Sequence, residues 1–91
     1  MFDYEQVLKD LEKIHHDSSY LEGYDYRQVS EYIYVGEYGL ALDTISYDYI
    51  SNDTPMSENL FEIFKKLVKM MDLLDDPEWN SIKELMDRQS K

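Results

Sequence analysis

Cysteine is absent from the 91 residues, which excludes disulfide staples, zinc–thiolate sites and thiol nucleophiles. Glycine and proline are scarce, three and two, so the hairpin turns of a β-rich fold have few places to form. Basic residues are outnumbered, with 9 lysines and arginines against 20 acids and a net charge of -11. Nucleic-acid binding needs cations for phosphates, and an anionic membrane surface needs them for headgroups, so both partners are disfavoured. Apolar runs are too short to span a bilayer. The opening Met1-Phe2-Asp3-Tyr4-Glu5 has neither the basic nor the apolar region of a signal peptide. The expected location is the cytoplasm.

What the chain has in excess is tyrosine and carboxylate, in one stretch. Tyr20 to Asp53 holds eight of the nine tyrosines and seven acids against one base, Arg27. Residues 1–53 carry a net charge of -9 and residues 54–91 only -2. Each buried tyrosine hydroxyl needs a hydrogen-bond partner, so a core gains little from so many. At a binding surface, tyrosine gives rigid amphipathic contact area and carboxylates draw in a positive partner. The segment reads as a docking surface for a basic protein, although an acidic surface also serves solubility alone. The candidate contacts are Glu22, Asp25, Glu31, Tyr34, Glu37, Asp43, Tyr47, Asp48 and Asp53.

Periodicity predicts an all-α bundle of about five short helices in hairpin-like succession, forming one domain over 1–91. The first starts after Phe2 or Asp3 with the stripe Tyr4, Val7, Leu8, Leu11, Ile14. The second runs from about Asp25, a plausible cap, to Tyr34, with Tyr26, Val29 and Ile33 on one face. Gly36 suits the left-handed position that ends a helix. The third runs from about Glu37 to Ile50 with Leu40, Ala41, Thr44, Ile45 and Tyr49 inward, and Asp43, Tyr47 and Ile50 outward. Ser57 caps the fourth, where Leu60, Phe61, Ile63, Phe64, Leu67, Val68, Met70, Met71 and Leu74 cover most of the circumference and Glu58, Glu62, Lys65, Lys66 and Lys69 form the polar stripe, as expected of a central core element. Asp76-Pro77 starts the fifth, whose buried stripe is Trp79, Ile82, Leu85 and Met86, and Arg88 to Lys91 are expected to fray.

Catalytic and metal chemistry find little purchase. His15 and His16 point about 100° apart on a helix and have no third nitrogen or sulfur ligand, so they read as solvent-exposed. Asp72, Asp75, Asp76 and Glu78 lack the alternating calcium-loop pattern. There is no phosphate-binding glycine loop and no serine elbow beside a histidine. The expectation is a protein that is not an enzyme and has no cofactor or metal.

The run Val35-Gly36-Glu37-Tyr38-Gly39-Leu40-Ala41-Leu42-Asp43-Thr44-Ile45, followed by Asp53-Thr54-Pro55-Met56-Ser57, resembles the MafI-type immunity proteins of bacterial polymorphic-toxin and contact-dependent-inhibition systems. Met70-Met71-Asp72-Leu73 and Trp79 fit the same pattern, so the resemblance spans the second to fifth helices. It implies a cytoplasmic antitoxin that binds a cognate toxin domain, often an RNase; the net charge of -11 on so small a chain favours a monomer, expected in a one-to-one complex. The antitoxin would block the active site or an adjacent exosite. Two other readings stay open: a helical adaptor that holds a peptide in a groove, and an acidic mimic of DNA.

Overall fold

The computed structural model describes residues 3–89. It is all-helical among them: α1 Tyr4–Asp17, α2 Tyr26–Tyr34, α3 Tyr38–Ser51, α4 Glu58–Met70 and α5 Pro77–Gln89. No helix among these residues is long and apolar enough to cross a membrane. Of the tail expected to fray, Arg88 and Gln89 complete α5, whereas Ser90 and Lys91 lie outside the described residues.

Local chemistry sets the helix starts. The carboxylates of Asp3 and Asp25 accept from the backbone N–H groups of Gln6 and Gln28 at 3.1 and 3.0 Å. Ser57 Oγ accepts from Leu60 at 3.2 Å, and Asp76 accepts from Glu78 at 2.9 Å with Pro77 in the first turn. Each satisfies an N–H that the helix itself leaves without a partner.

Three helix ends share one device. The N–H of Glu37, Thr54 and Leu73 returns to the carbonyl five residues earlier, that of Tyr32, Tyr49 and Val68. The residue before each donor, Gly36, Asp53 or Asp72, has a positive φ of 82, 50 or 58°. This is the Schellman closure, which glycine occupies without strain and aspartate only at a cost. It ends α4 at Met70, before the apolar pattern runs out. Met71 and Leu73 still pack on the core, and Leu74 is exposed.

α1 and α3 form the centre: α1 packs against α2, α3 and α4, and α3 against α1, α2 and α5. The fourth helix, expected at the centre, instead lies across α1 and turns Leu60, Phe64, Leu67 and Val68 inward. Trp79 of α5 meets Phe61 and Phe64 with ring centroids 6.0 and 5.8 Å apart, closing the gap between α4 and α5. Asp10 is buried where α1 meets α4. Its Oδ1 accepts from Gln6 at 2.9 Å; its Oδ2 has no well-aligned hydrogen bond but lies 3.1 Å from Lys66 Nζ, so an ion pair neutralises it.

On α3 the buried arc is Ala41, Leu42, Ile45, Ser46 and Tyr49. Leu40, expected inward, is 48% exposed, because that helix carries apolar residues on every side and the arc is set by its neighbours. Tyr49 is fully buried as expected, and its hydroxyl meets Ser18 Oγ at 2.7 Å.

Replacing Asp72 with glycine should remove the left-handed strain and stabilise the fold by about 1 kcal/mol, raising Tm by about 4–8 °C. Gly36→Ala should cost a similar ~1 kcal/mol from backbone strain alone, since an added Cβ would meet nothing within 4 Å. Thermal unfolding of the two variants beside the parent checks both.

Candidate functional site

The connection from α1 to α2 carries the first two candidate contacts, and four side chains fix it. Ser18 meets Tyr49 in the core, and Leu21 is buried. Asn52 Nδ2 donates to the carbonyls of both Glu22 and Asp48, at 3.1 and 2.8 Å. Tyr24 OH lies 2.7 Å from His15 Nδ1. The connection therefore lies along the C-terminal half of α3.

His15 does the most here, and it is not solvent-exposed as the sequence suggested. It is 4% exposed, stacks on Tyr26 at 4.0 Å between centroids, and meets Ser30 Oγ through Nε2 at 2.8 Å. One imidazole thus joins α1, the connection and α2. Burial, reinforced by the neighbouring His16, lowers its pKa, which keeps it neutral. Burial also drives the Tyr24 hydroxyl well above its usual range. Tyr26, expected in the core, is 40% exposed because one ring face covers His15 and its hydroxyl reaches out to His16 Nδ1 at 3.1 Å.

A serine beside a histidine is hydrolase geometry, and no sequence motif signals it, since the two residues are 15 positions apart. The surroundings do not fit that chemistry. The group behind the imidazole is a neutral phenol, not a carboxylate that would stabilise imidazolium. Ser30 lies inside α2, where helical hydrogen bonds occupy the backbone N–H groups an oxyanion hole would need. The arrangement acts as a clasp.

The nine candidate contacts are all at least partly exposed, and they fall into separate groups. Asp25 lies close enough to act on Asp48, and Asn52 ties the Glu22 backbone to that of Asp48. Burial and then the Asp25 charge push the Asp48 carboxyl above its ordinary value. Among the described residues, none of these three has a basic partner: Lys13 pairs with Asp17, Arg27 with Glu31 and Arg88 with Asp53. Asp43 lies on the opposite flank of α3, where its carboxylate and those of Asp76 and Glu78 come within 4.8 Å of one another. Burial, then Asp76, raises the Asp43 carboxyl, and a hydrogen bond to Asp76 raises that of Glu78. Asp76 is held in that cluster by its role as the cap of α5. Tyr47, 66% exposed, stands on the crest of α3 between the flanks, one side of Leu40 at helical spacing.

Glu31 and Tyr34 are apart from these, on the outer side of α2. Tyr34 is 91% exposed and shares a 270 Å³ groove with Glu12, His16, Tyr26 and Ser30. Glu37 stands exposed at the start of α3 and makes no side-chain cap. A larger groove of 670 Å³ runs between α4 and α5, with Phe61 and Met86 lining it and Glu58, Glu62 and Asp87 around it. Two of its lining residues are engaged by Lys65, which pairs with Glu62 at 2.9 Å and lies over the Phe61 ring.

Set against protein-family models, curated proteins and solved structures, the chain matches none.

The clasp gives stability a defined pH dependence. His15 titrates below its ordinary 6.5, so the unfolded chain takes up the proton first. Stability is full above that value and falls as pH drops through 6.5 towards the folded pKa. Asp43, Asp48 and Glu78 act oppositely and at lower pH, since their raised carboxyls destabilise the charged fold. Urea unfolding from about pH 7.5 to about pH 5.5 should show a decline that His15→Gln largely flattens.

Proposed function

We propose that this chain is an immunity-type protein that binds a basic toxin domain in the cytoplasm and blocks it. The reading rests most on Glu22, Asp25 and Asp48. Asp25 acts on the Asp48 carboxyl, Asn52 ties the Glu22 backbone to that of Asp48, and none of the three acids has a cation among the described residues. A free protein maintains such a cluster at a cost in stability, and an incoming lysine or arginine would relieve it. The exposed crest of Leu40 and Tyr47, with Asp43 on one shoulder and Asp48 on the other, has the make-up of an interface centre: apolar and aromatic, rimmed by charge. The similarity of residues 35–57 to MafI-type immunity proteins supplies the kind of partner. An RNase domain is basic where it holds phosphates, and carboxylates complement that field. Such steering gives the fast association a protective inhibitor needs. The chain itself performs no reaction on this reading.

Shape weighs against the DNA mimic. The described residues span 36 × 29 × 21 Å, less elongated than a surface that presents acids in phosphate-like succession. The α4–α5 groove keeps the adaptor as the second reading. Filling it by Met86→Trp would abolish partner binding only on that reading.

The test is co-expression with the C-terminal domain encoded immediately upstream, scoring survival and co-purification. Survival with a one-to-one complex is expected. A toxic neighbour that the chain fails to rescue would overturn the proposal. Asp48→Asn should raise Tm while weakening the complex, because the charge removed is one the fold carries at a cost. Asp43→Lys with Asp48→Lys should keep the helical fold and slow association by about tenfold or more at low salt.

A further inference from the structure

Tyr34 and Val35 are 91% and 66% exposed at the end of α2, an apolar pair facing water. Tyr34 is also one wall of the groove between α1 and α2. Tyr26 provides a second aromatic surface there, and it cannot swing freely, since its ring is stacked on His15 and its hydroxyl is bound to His16. Below it, His15 is anchored at both nitrogens, so the floor is rigid before any ligand arrives. The fixed charge of the groove lining is the carboxylate of Glu12, which has no ion pair among the described residues. Next to it, a second hollow shares Ser30 and Tyr34 and is lined by both Arg27 and Glu31, which pair with each other at 3.9 Å, so the cation site is the first groove and not this one.

Two tyrosine rings and the unpaired carboxylate of Glu12 in one lining suit a flat cation. A guanidinium stacks on aromatic faces and forms paired hydrogen bonds with a carboxylate; an ammonium does neither as well. We propose that the α1–α2 groove is a receptor for an arginine side chain on the surface of a protein partner, stacked against Tyr34 and Tyr26 and paired with Glu12. That the arginine belongs to a basic toxin domain rests on the function proposed above; the chemistry of the groove does not. Ser30 Oγ adds a hydrogen-bond acceptor at the back of the site. The groove lies on the α1 side of α2, apart from the Glu22–Asp25–Asp48 group, so it would act as a second and separate anchor.

Three blocked tripeptides test this without any toxin: N-acetyl-Gly-Arg-Gly-amide, its lysine counterpart and its citrulline counterpart. Each is titrated at low salt into the isotope-labelled full chain and followed by NMR. The arginine peptide should move the resonances of Glu12, Ser30 and Tyr34, and the citrulline peptide, equally flat but uncharged, should not. The lysine peptide should bind about three- to tenfold more weakly, as should the arginine peptide to Tyr34→Ala or Glu12→Gln. Tyr34→Ala should leave Tm unchanged, since the ring is almost wholly in water. Equal binding of lysine and arginine, shifts confined to Glu22, Asp25 and Asp48, or no shifts would overturn the proposal. None of these outcomes bears on toxin rescue, so the two proposals fail separately.

Discussion

The His15 clasp is the contact on which the acidic face depends. Its two ring nitrogens reach Tyr24 and Ser30, and its plane is covered by Tyr26, so one neutral side chain holds α1, the connection and α2 together. The connection has little apolar anchorage besides Leu21, and hydrogen bonds do the rest. Buried polar groups that are all satisfied favour one geometry, because any other leaves a donor or acceptor unpaired in a dry site. That specificity sets where Glu22 and Asp25 sit relative to Asp48.

Charge is divided between structure and surface. Asp10 is buried and paired with Lys66, Asp17 with Lys13, and Asp53 with Arg88. The acids at helix starts, Asp3, Asp25 and Asp76, satisfy backbone N–H groups and suit the positive end of the helix. Against these, the raised carboxyls of Asp43 and Asp48 mark places where the fold tolerates partial burial of a charge and, second to it, repulsion. Residues that reduce stability and remain accessible are what a binding surface requires, since a partner recovers the energy the free chain gives up.

Much of the fold was legible in the sequence. The caps at Asp25, Ser57 and Asp76 and the left-handed turn at Gly36 lie where their chemistry places them. α1 shows why some of the rest was hidden. Asp10 and His15 occupy inward positions of its period beside Val7, Leu11 and Ile14, but their polarity disguised them. The available signal was phase: a polar residue in register with an apolar stripe is buried if partners exist, and those partners came from 9 and 15 residues away. On α3 the difficulty was the reverse, since apolar residues all round leave the rotation to packing, and Leu40, expected inward, is exposed while Leu42, not assigned to either face, is buried. The candidate contacts were read as one acidic stretch. Helical geometry distributes them, with Asp43 and Asp48 on opposite flanks of one helix and Tyr34 at a groove of its own.

The central claim is that Asp48 is held charged beside Asp25 with no cation to offset it among the described residues of the free protein. A direct NMR titration of the Asp48 carboxyl tests it, first in the parent and then in Asp25→Asn. The account requires a pKa above the ordinary 3.8 that moves back down when Asp25 loses its charge. An Asp48 carboxyl at or below that ordinary value, indifferent to Asp25, would mean the face is already compensated and has no electrostatic need of a partner.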